Sequence, residues 1–482
     1  MASSEFNLST KKQTVAIVGS GLAGLATAYL LHNDRHQRYA VSIFESGETF
    51  SFNSASVSIR DESQRAIEQI DLPMRAFAQG YYANLIRMYQ YLGIKCNPQR
   101  FIYTFAKASE TGSSMAMSAE PAIQGPYFVH TSNHHQIPPI RPKGVPLIPW
   151  LLDVIYVAAC YFWWSFCCFW VAPYPATQAR ECESLDEYVQ RIKLPRHFMN
   201  FYLLPLLASV ATCTHTALLQ SPARDAIEYK KRSAGGQHFT VSELSQVQQE
   251  LGAGVRARFS TTIKKIEAIE GSKKVRIVSR ATDDDMDREE IFDYVVLAVA
   301  PGVVGQIYQR LESAMTQIPS TLVESVVQHH DGMKLSRSAS SSATTPLPHT
   351  LHFRTSTALA QTESLHVYPS SGAIVTTCPL TDISSSAQHV LKSARFFRGL
   401  RTPRSRRIVN EMFGENLNPV TSFSYGDDEK KKLDFWKNGD ENVWLAGGWC
   451  WDGMVLLEGC VVSAMRVARA LDVDVPWARS LD

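Results

Sequence analysis

The hydrophobic pattern is most informative at the two ends of the chain. At 14–18 the run Thr-Val-Ala-Ile-Val is apolar throughout, as a strand buried on both faces of a sheet must be. It leads into Gly19-Ser20-Gly21-Leu22-Ala23-Gly24, and then into an Ala- and Leu-rich stretch at 25–31 of helical composition. A second apolar run at 39–44 ends on Glu45, 21 positions beyond Gly24. Near the C-terminus, 442–446 reads as a strand that stops at Gly447 and Gly448. The stretch at 456–471, which contains Glu458 and Gly459, has helical periodicity with basic residues toward its end.

Strand, glycine turn, helix, second strand and terminal acid, in that order, predict a site for a dinucleotide. Gly19 permits the tight turn, Gly21 lets backbone approach a pyrophosphate, and Gly24 lets helix and strand pack closely. The free N–H groups and positive dipole of the helix start then face the phosphates. Glu45 is placed to accept hydrogen bonds from ribose hydroxyls, and its charge disfavours the 2′-phosphate of NADP. The strand, glycine loop and helix start around Gly447, Gly448, Glu458 and Gly459 would bring backbone N–H groups to a second part of the same molecule.

These two ends together resemble the flavin-containing amine oxidase and phytoene desaturase superfamily, nearest to its predicted FAD- and NAD-binding oxidoreductases. The resemblance implies FAD, with the Ala446-Gly447 turn and the Glu458-Gly459 helix start cradling the ribityl and isoalloxazine portions. It also implies that the strand through Ile263 brings backbone to the adenine, and that 292–301 closes this half of the fold. Looser matches at 72–77, 80–85, 202–206 and 326–331 follow in the same order. Two departures stand out. The glycine pair usual about ten residues past the ribose acid is missing from 46–58, where Ser54, Ala55 and Ser56 are the small residues available. Gly448 also stands where an acid often meets the ribityl chain.

The fold class expected is α/β, a Rossmann-type dinucleotide-binding domain with a discontinuous α+β substrate domain. Residues 1–60, 231–310 and 440–482 are expected to form the FAD-binding domain. Residues 61–230 and 311–439 are expected to form the substrate domain or cap. The Ser-rich stretch at 336–345 reads as a mobile loop, and Asp283 to Asp287 as a solvated hairpin tip rather than a metal site.

At 154–172 the chain runs 19 residues without a charge, long enough to cross a membrane. Gly19 and Gly447 serve one cofactor, so a single crossing between them would separate parts that must meet. Three arrangements remain open: a buried or substrate-lining helix, a helix in a membrane surface, or one member of a crossing pair with 198–219.

Composition narrows the functions. Hydrophobic residues make up 45% and charged residues 20%, with a formal net charge of +2 and no basic stripe, which argues against nucleic acid as a partner. Nine cysteines, mostly in apolar runs, read as reduced thiols. The polar start at 1–13 lacks a secretory apolar core, so the expected location is cytoplasmic or on the cytosolic face of a membrane.

Flavin chemistry requires no protein nucleophile, and the residues expected to shape the reaction are His330, Trp451 and Asp452. Adjacent His329 and His330 would point to opposite faces of a strand, so one at most faces the site. The leading expectation is an FAD-dependent oxidase, dehydrogenase or desaturase acting on a hydrophobic small molecule of lipid or secondary-metabolite type. A non-redox isomerase or cyclase with structural FAD, and a membrane-associated binding protein without FAD, remain as alternatives.

Overall fold

The structure, a computed structural model, describes residues 12–60, 66–108, 125–131, 139–177, 180–241, 243–329, 347–381, 390–414 and 436–478. His330 and the Ser-rich stretch at 336–345 lie outside them.

The first apolar run forms β1 (Gln13–Val18) and the second forms β2 (Tyr39–Phe44). They pair in parallel at the centre of a five-stranded sheet. Its order is Arg256–Arg258, β2, β1, Tyr294–Leu297, Val443–Leu445, and every pairing is parallel. Val15, Ile17, Val295 and Val443 are fully buried, because a parallel sheet is covered on both faces. Between β1 and β2 runs α1 (Leu22–His32), which is buried almost all round. It packs between the helix Leu244–Gly252 and the long C-terminal helix Leu457–Ala470. The two ends of the sequence thus meet in one layer, as their shared ligand requires.

An antiparallel meander, Thr261–Ala268, Val275–Ala281 and Arg288–Phe292, flanks this sheet. At its Asp-rich tip, Asp284 and Asp287 pair with Arg288 and Arg280. The second large element is a mixed seven-stranded sheet built from 101–131 and 320–399. Only His349–Ser356 and Phe101–Lys107 pair in parallel there. The helix Leu204–Ala211 packs on its strands His349–Ser356 and Gln361–Val367. Strand His238–Val241 pairs with Phe77–Ala78 and Cys96–Pro98. A strand from the segment expected to belong to the cofactor domain thus pairs with two strands from the segment expected to form the substrate domain.

The apolar middle forms α3 (Leu147–Trp170), after α2 (Ala83–Tyr91). Among the described residues, α3 is the one helix long and apolar enough to cross a membrane. The stretch 198–219 does not form a matching span. It breaks into a π-helical turn at Met199–Leu203 and short helices at Leu204–Ala211 and His215–Leu219, largely buried. The nine cysteines are unpaired.

Candidate active site

A single cavity of about 870 Å³ runs between the two large sheets. Its wall includes Gly21 and Ala23 at the start of α1, Gly447 and Gly448 after the last parallel strand, and Leu457 at the start of the C-terminal helix. Neither helix start carries a side-chain cap. The start of α1 thus leaves N–H groups for a ligand, whereas the Gly459 N–H of the C-terminal helix is already taken by the Leu456 carbonyl at 3.0 Å.

The glycines divide by what surrounds them. Gly19 has φ +95°, which permits the tight turn, and its N–H donates to the Phe44 carbonyl at 2.9 Å. A Cβ on Gly24 would lie 2.0 Å from the Gly19 oxygen, so this position is closed by packing. A Cβ on Gly21 would meet no protein atom within 4 Å. Gly21 therefore borders the space where a pyrophosphate would approach. Gly447 donates to Ser463 Oγ at 2.9 Å, which fixes the second turn. At Gly459 a Cβ would run into the Trp451 ring and the Gly448 carbonyl, making it a packing glycine rather than a wall residue.

The region that lacks the glycine pair forms a short 3₁₀ turn, Ser51–Asn53. Ser51 and Phe52 line the cavity, rather than Ser54, Ala55 or Ser56. Above Phe52 sits Arg75, its guanidinium 4.3 Å from the ring centroid and donating to the Phe52 carbonyl at 2.6 Å. Its Nη1 is buried without a hydrogen-bond partner among the described residues. Burial pushes the group below its ordinary pKa, but a guanidinium stays charged in a protein. Arg75 and the start of α1 at Gly21 and Ala23 line the same cavity, which places a cation on the wall of the region where the glycine pair is missing.

Glu45 is bound differently from the expectation. Its Oε2 accepts from Ser20 N at 3.0 Å and Ser20 Oγ at 2.5 Å, and its Oε1 from Gly47 N at 2.9 Å and Ser46 Oγ at 3.2 Å. Four donors of its own chain occupy the carboxylate, which braces the glycine turn and does not line the cavity. Ile263 sits in the antiparallel meander opposite Ser279, with its side chain buried in the core beneath. Glu458 caps α2: its carboxylate accepts from Asn84 N, Asn84 Nδ2 and Leu85 N.

Trp451 and Asp452 are also turned away from the cavity. The Trp451 indole is buried against Tyr81 and donates to the Met454 carbonyl at 3.0 Å. Asp452 lies 2.6 Å from Arg406 Nε and 3.6 Å from Arg224. Burial raises its carboxyl, but the Arg406 hydrogen bond and the neighbouring cations outweigh this and hold it below the usual range. Beside this pair, Arg401 donates to the Trp449 and Trp451 carbonyls at 2.7 and 2.5 Å. The loop is thus pinned from behind by buried arginines, and Trp449 is its residue on the cavity wall. Cys450 faces the interior and is absent from that wall. Cys460 is on it, its thiol pushed up to about 11 by burial and poorly suited to act as a nucleophile.

The rest of the cavity is aromatic. Phe105 lies 5.3 Å from Phe353 and 5.9 Å from Tyr202, and Phe128 lies 5.4 Å from Tyr202. No Asp or Glu lines it among the described residues, whereas Arg75, Lys230 and Arg398 do. Arg398 donates to the Val455 carbonyl at 2.7 Å, and Lys230 to the Tyr161 hydroxyl. These cations escaped the sequence reading because nothing local marks them: Lys230 is one of three successive basic residues with Lys231 and Arg232, and Arg398 is one of several arginines between 395 and 407.

Known proteins agree with this geometry. The profile of an NAD(P)-binding Rossmann-like domain matches residues 17–92, and that of flavin-containing amine oxidoreductases matches 177–472. No curated protein matches the chain by sequence. Among solved structures, a fatty acid isomerase from P. acnes that produces CLA is similar at TM-score 0.57 and 13% identity, covering 95% of this chain and 99% of its own. An oxidoreductase from Methanosarcina mazei has TM-score 0.53 and 11% identity, covering 95% and 100%. Cyclohexylamine oxidase from Brevibacterium oxydans has TM-score 0.53 and 12% identity, covering 96% and 100%. At such identities the likeness concerns the fold, but the amine oxidoreductase profile covers more than half of the sequence. The chain therefore belongs to the flavin-containing amine oxidoreductase family, and FAD is the dinucleotide its cradle accommodates.

Proposed function

We propose that the protein is an FAD-dependent oxidoreductase acting on a lipophilic small molecule. The observation that carries this reading is the continuity of the cavity, from the glycine turns at Gly21 and Gly448 to the aromatic chamber around Phe105 and Tyr202. When bound, FAD supplies the two-electron acceptor. The chain's own groups then have distinct tasks. Arg75 and the uncapped start of α1 would meet the phosphates, and Gly447 and Gly448 would allow close approach of the ring system. The aromatic chamber excludes water and orients an apolar substrate over it. Lys230 and Arg398 offer cationic partners to an acidic end of that substrate. No lining carboxylate is present among the described residues to bind an ammonium group, which favours an acid or neutral lipid over a simple amine.

A second reading, isomerisation without net oxidation, has one specific support. Gly448 removes the acid usual beside the ribityl chain, and the similar P. acnes protein is described as a fatty acid isomerase. The two readings separate in one experiment. Purified protein is scanned for flavin absorption, then mixed anaerobically with long-chain carboxylic acids. Lasting bleaching supports oxidation, whereas a rearranged acid with the oxidised spectrum retained supports isomerisation. Protein that stays colourless after reconstitution with FAD sinks both.

A further inference from the structure

The face of α3 opposite the core has no partner among the described residues. Three stripes divide this helix. Cys160, Trp164, Cys167 and Cys168 are buried against neighbouring helices. Val154, Val157, Ala158 and Tyr161 line the cavity. The third stripe, with Ile148, Leu152, Ile155, Phe162, Phe166 and Trp170, is exposed along the full length, reaching 71% at Ile148 and Phe162 and 77% at Trp170. An uninterrupted apolar surface of this length is unusual for a face meant for water.

Charge is arranged around this surface, not on it. The single charged residue of α3, Asp153, is turned inward, where both carboxylate oxygens accept from the Tyr202 hydroxyl at 2.9 and 2.8 Å. Arg141 and Lys143 are exposed just before the helix. Lys193 and Arg196 are exposed along its flank, which is fixed there by the Trp163 indole donating to the Ile192 carbonyl at 2.8 Å and by His197 against Tyr156. No salt bridge engages these four cations among the described residues. The nearby acids Glu183 and Glu187 are instead paired with Arg191 and Arg180. Trp163, Phe166 and Trp170 stack in succession near the C-terminal end, at 5.8 and 6.5 Å. Tryptophan favours the boundary between headgroups and acyl chains.

We propose that α3 lies flat in the surface of a lipid bilayer, with its exposed stripe among the acyl chains and the flanking cations against anionic headgroups. A crossing would have to break the packing of Cys160, Trp164, Cys167 and Cys168 and the hydrogen bonds of Asp153 to Tyr202, which hold α3 against the rest of the protein. The cavity stripe adjoins the exposed stripe on the same helix, so a lipid would pass from the bilayer to the aromatic chamber without crossing water. That last step rests on the function proposed above; the docking itself does not.

The test is flotation of the full-length protein with vesicles of phosphatidylcholine, alone or with phosphatidylserine. The parent protein is expected to float, more strongly with phosphatidylserine, and the added binding should fall as salt is raised. Ile155→Glu combined with Phe162→Glu changes residues outside the cavity. It is expected to keep the parent's flavin content and melting temperature, and to weaken vesicle binding by about tenfold or more. Lys193→Glu with Arg196→Glu should remove only the phosphatidylserine increment. Parent protein that stays off both kinds of vesicle overturns the proposal, as does a double variant that floats like its parent. A dimer that ignores vesicles and dissociates on the Ile155 and Phe162 substitutions also overturns it, by assigning the face to a second copy. Flotation is read whether or not flavin is bound, so failure here is distinct from failure of the redox reading.

Discussion

The carboxylate of Glu458 accepts the backbone N–H of Asn84 at 2.9 Å, joining the C-terminal cofactor helix to the start of α2. Asn84 Nδ2 and the Leu85 N–H complete the contact, at 2.7 and 3.0 Å. Burial pushes the Glu458 carboxyl above its ordinary pKa, and these three donors oppose the shift. Removing the carboxylate leaves one buried and two part-buried donors without their acceptor. Glu458→Ala is expected to lower stability by about 3 kcal/mol, and Glu458→Gln by less, because the amide keeps one acceptor. Urea unfolding of both variants provides the check. Equal, small losses would show that the contact is not holding the two helices together.

Gly21 and Gly24 differ in what a methyl group would meet, and their alanine variants should separate folding from cofactor binding. At Gly24 the new carbon would lie 2.0 Å from the Gly19 carbonyl oxygen, so Gly24→Ala must displace the turn. At Gly21 it would project into open space. Gly21→Ala is expected to melt near the parent temperature as apoprotein, yet to bind FAD at least about tenfold more weakly. Gly24→Ala should lose both stability and FAD. Melting curves with and without added FAD distinguish the two.

Asp452 lies in an ion pair behind the cofactor loop, which makes its substitution informative. The pair with Arg406 is buried, and breaking a buried pair typically costs about 3–5 kcal/mol. Asp452→Asn is therefore expected to lower the melting temperature clearly while leaving the rate of flavin reduction by substrate within about threefold. Stopped-flow reduction of the stable fraction would detect a catalytic role. A fall of orders of magnitude in that rate, with unchanged stability, would return Asp452 to the chemistry.

The parts legible in the sequence were those whose chemistry is local. The apolar run at 14–18, the spacing of Gly19, Gly21 and Gly24, and the strand before Gly447 each fix backbone over a few residues. The five-stranded sheet follows from them. Side-chain direction was not legible. Glu45 has the spacing of a ribose ligand, yet Ser20, Ser46 and Gly47 supply its donors. Trp451 and Asp452 fall between two cofactor elements in sequence, but the loop is turned so that Trp449 lines the cavity and these two do not. Arg75 and Arg398 become recognisable only when sheets distant in sequence enclose one apolar space.

Buried histidines should make the seven-stranded sheet sensitive to acid. His215 and His349 are held to about 4 by burial, below the usual value of 6.5, and His366 is lowered further by burial and by His349. Between pH 6.5 and 4 the unfolded chain binds these protons while the folded chain does not. Stability is then fully present above about pH 6.5 and falls as pH drops toward 4. The slope approaches about 1.4 kcal/mol per pH unit for each such histidine. Glu68, 4.0 Å from His349, has its carboxyl raised by burial, so it is protonated in the folded chain before the unfolded one and offsets part of this fall. Urea midpoints measured from pH 7.5 to 4.5 should fall steadily, and His215→Gln should flatten the dependence. A flat profile in the parent would mean that these rings gain protons without unfolding.

Lys230 tests whether the cavity selects for an acidic end. Its ammonium meets the Tyr161 hydroxyl and lies 4.3 Å from that ring's centroid, on the cavity wall and without a carboxylate partner among the described residues. A long-chain carboxylate in the chamber would gain a charge-assisted hydrogen bond there, worth about 1.5–3 kcal/mol. Lys230→Met preserves most of the apolar stem and removes the charge. The variant is expected to retain FAD and to bind a long-chain carboxylic acid roughly tenfold more weakly, by a factor that follows from that energy. The methyl ester of the same acid should bind parent and variant alike. Titrations followed by the flavin spectrum give both affinities. An equal loss for acid and ester would place the effect in the shape of the chamber, and an unchanged affinity for the acid would leave Arg398 as the remaining cation to receive it.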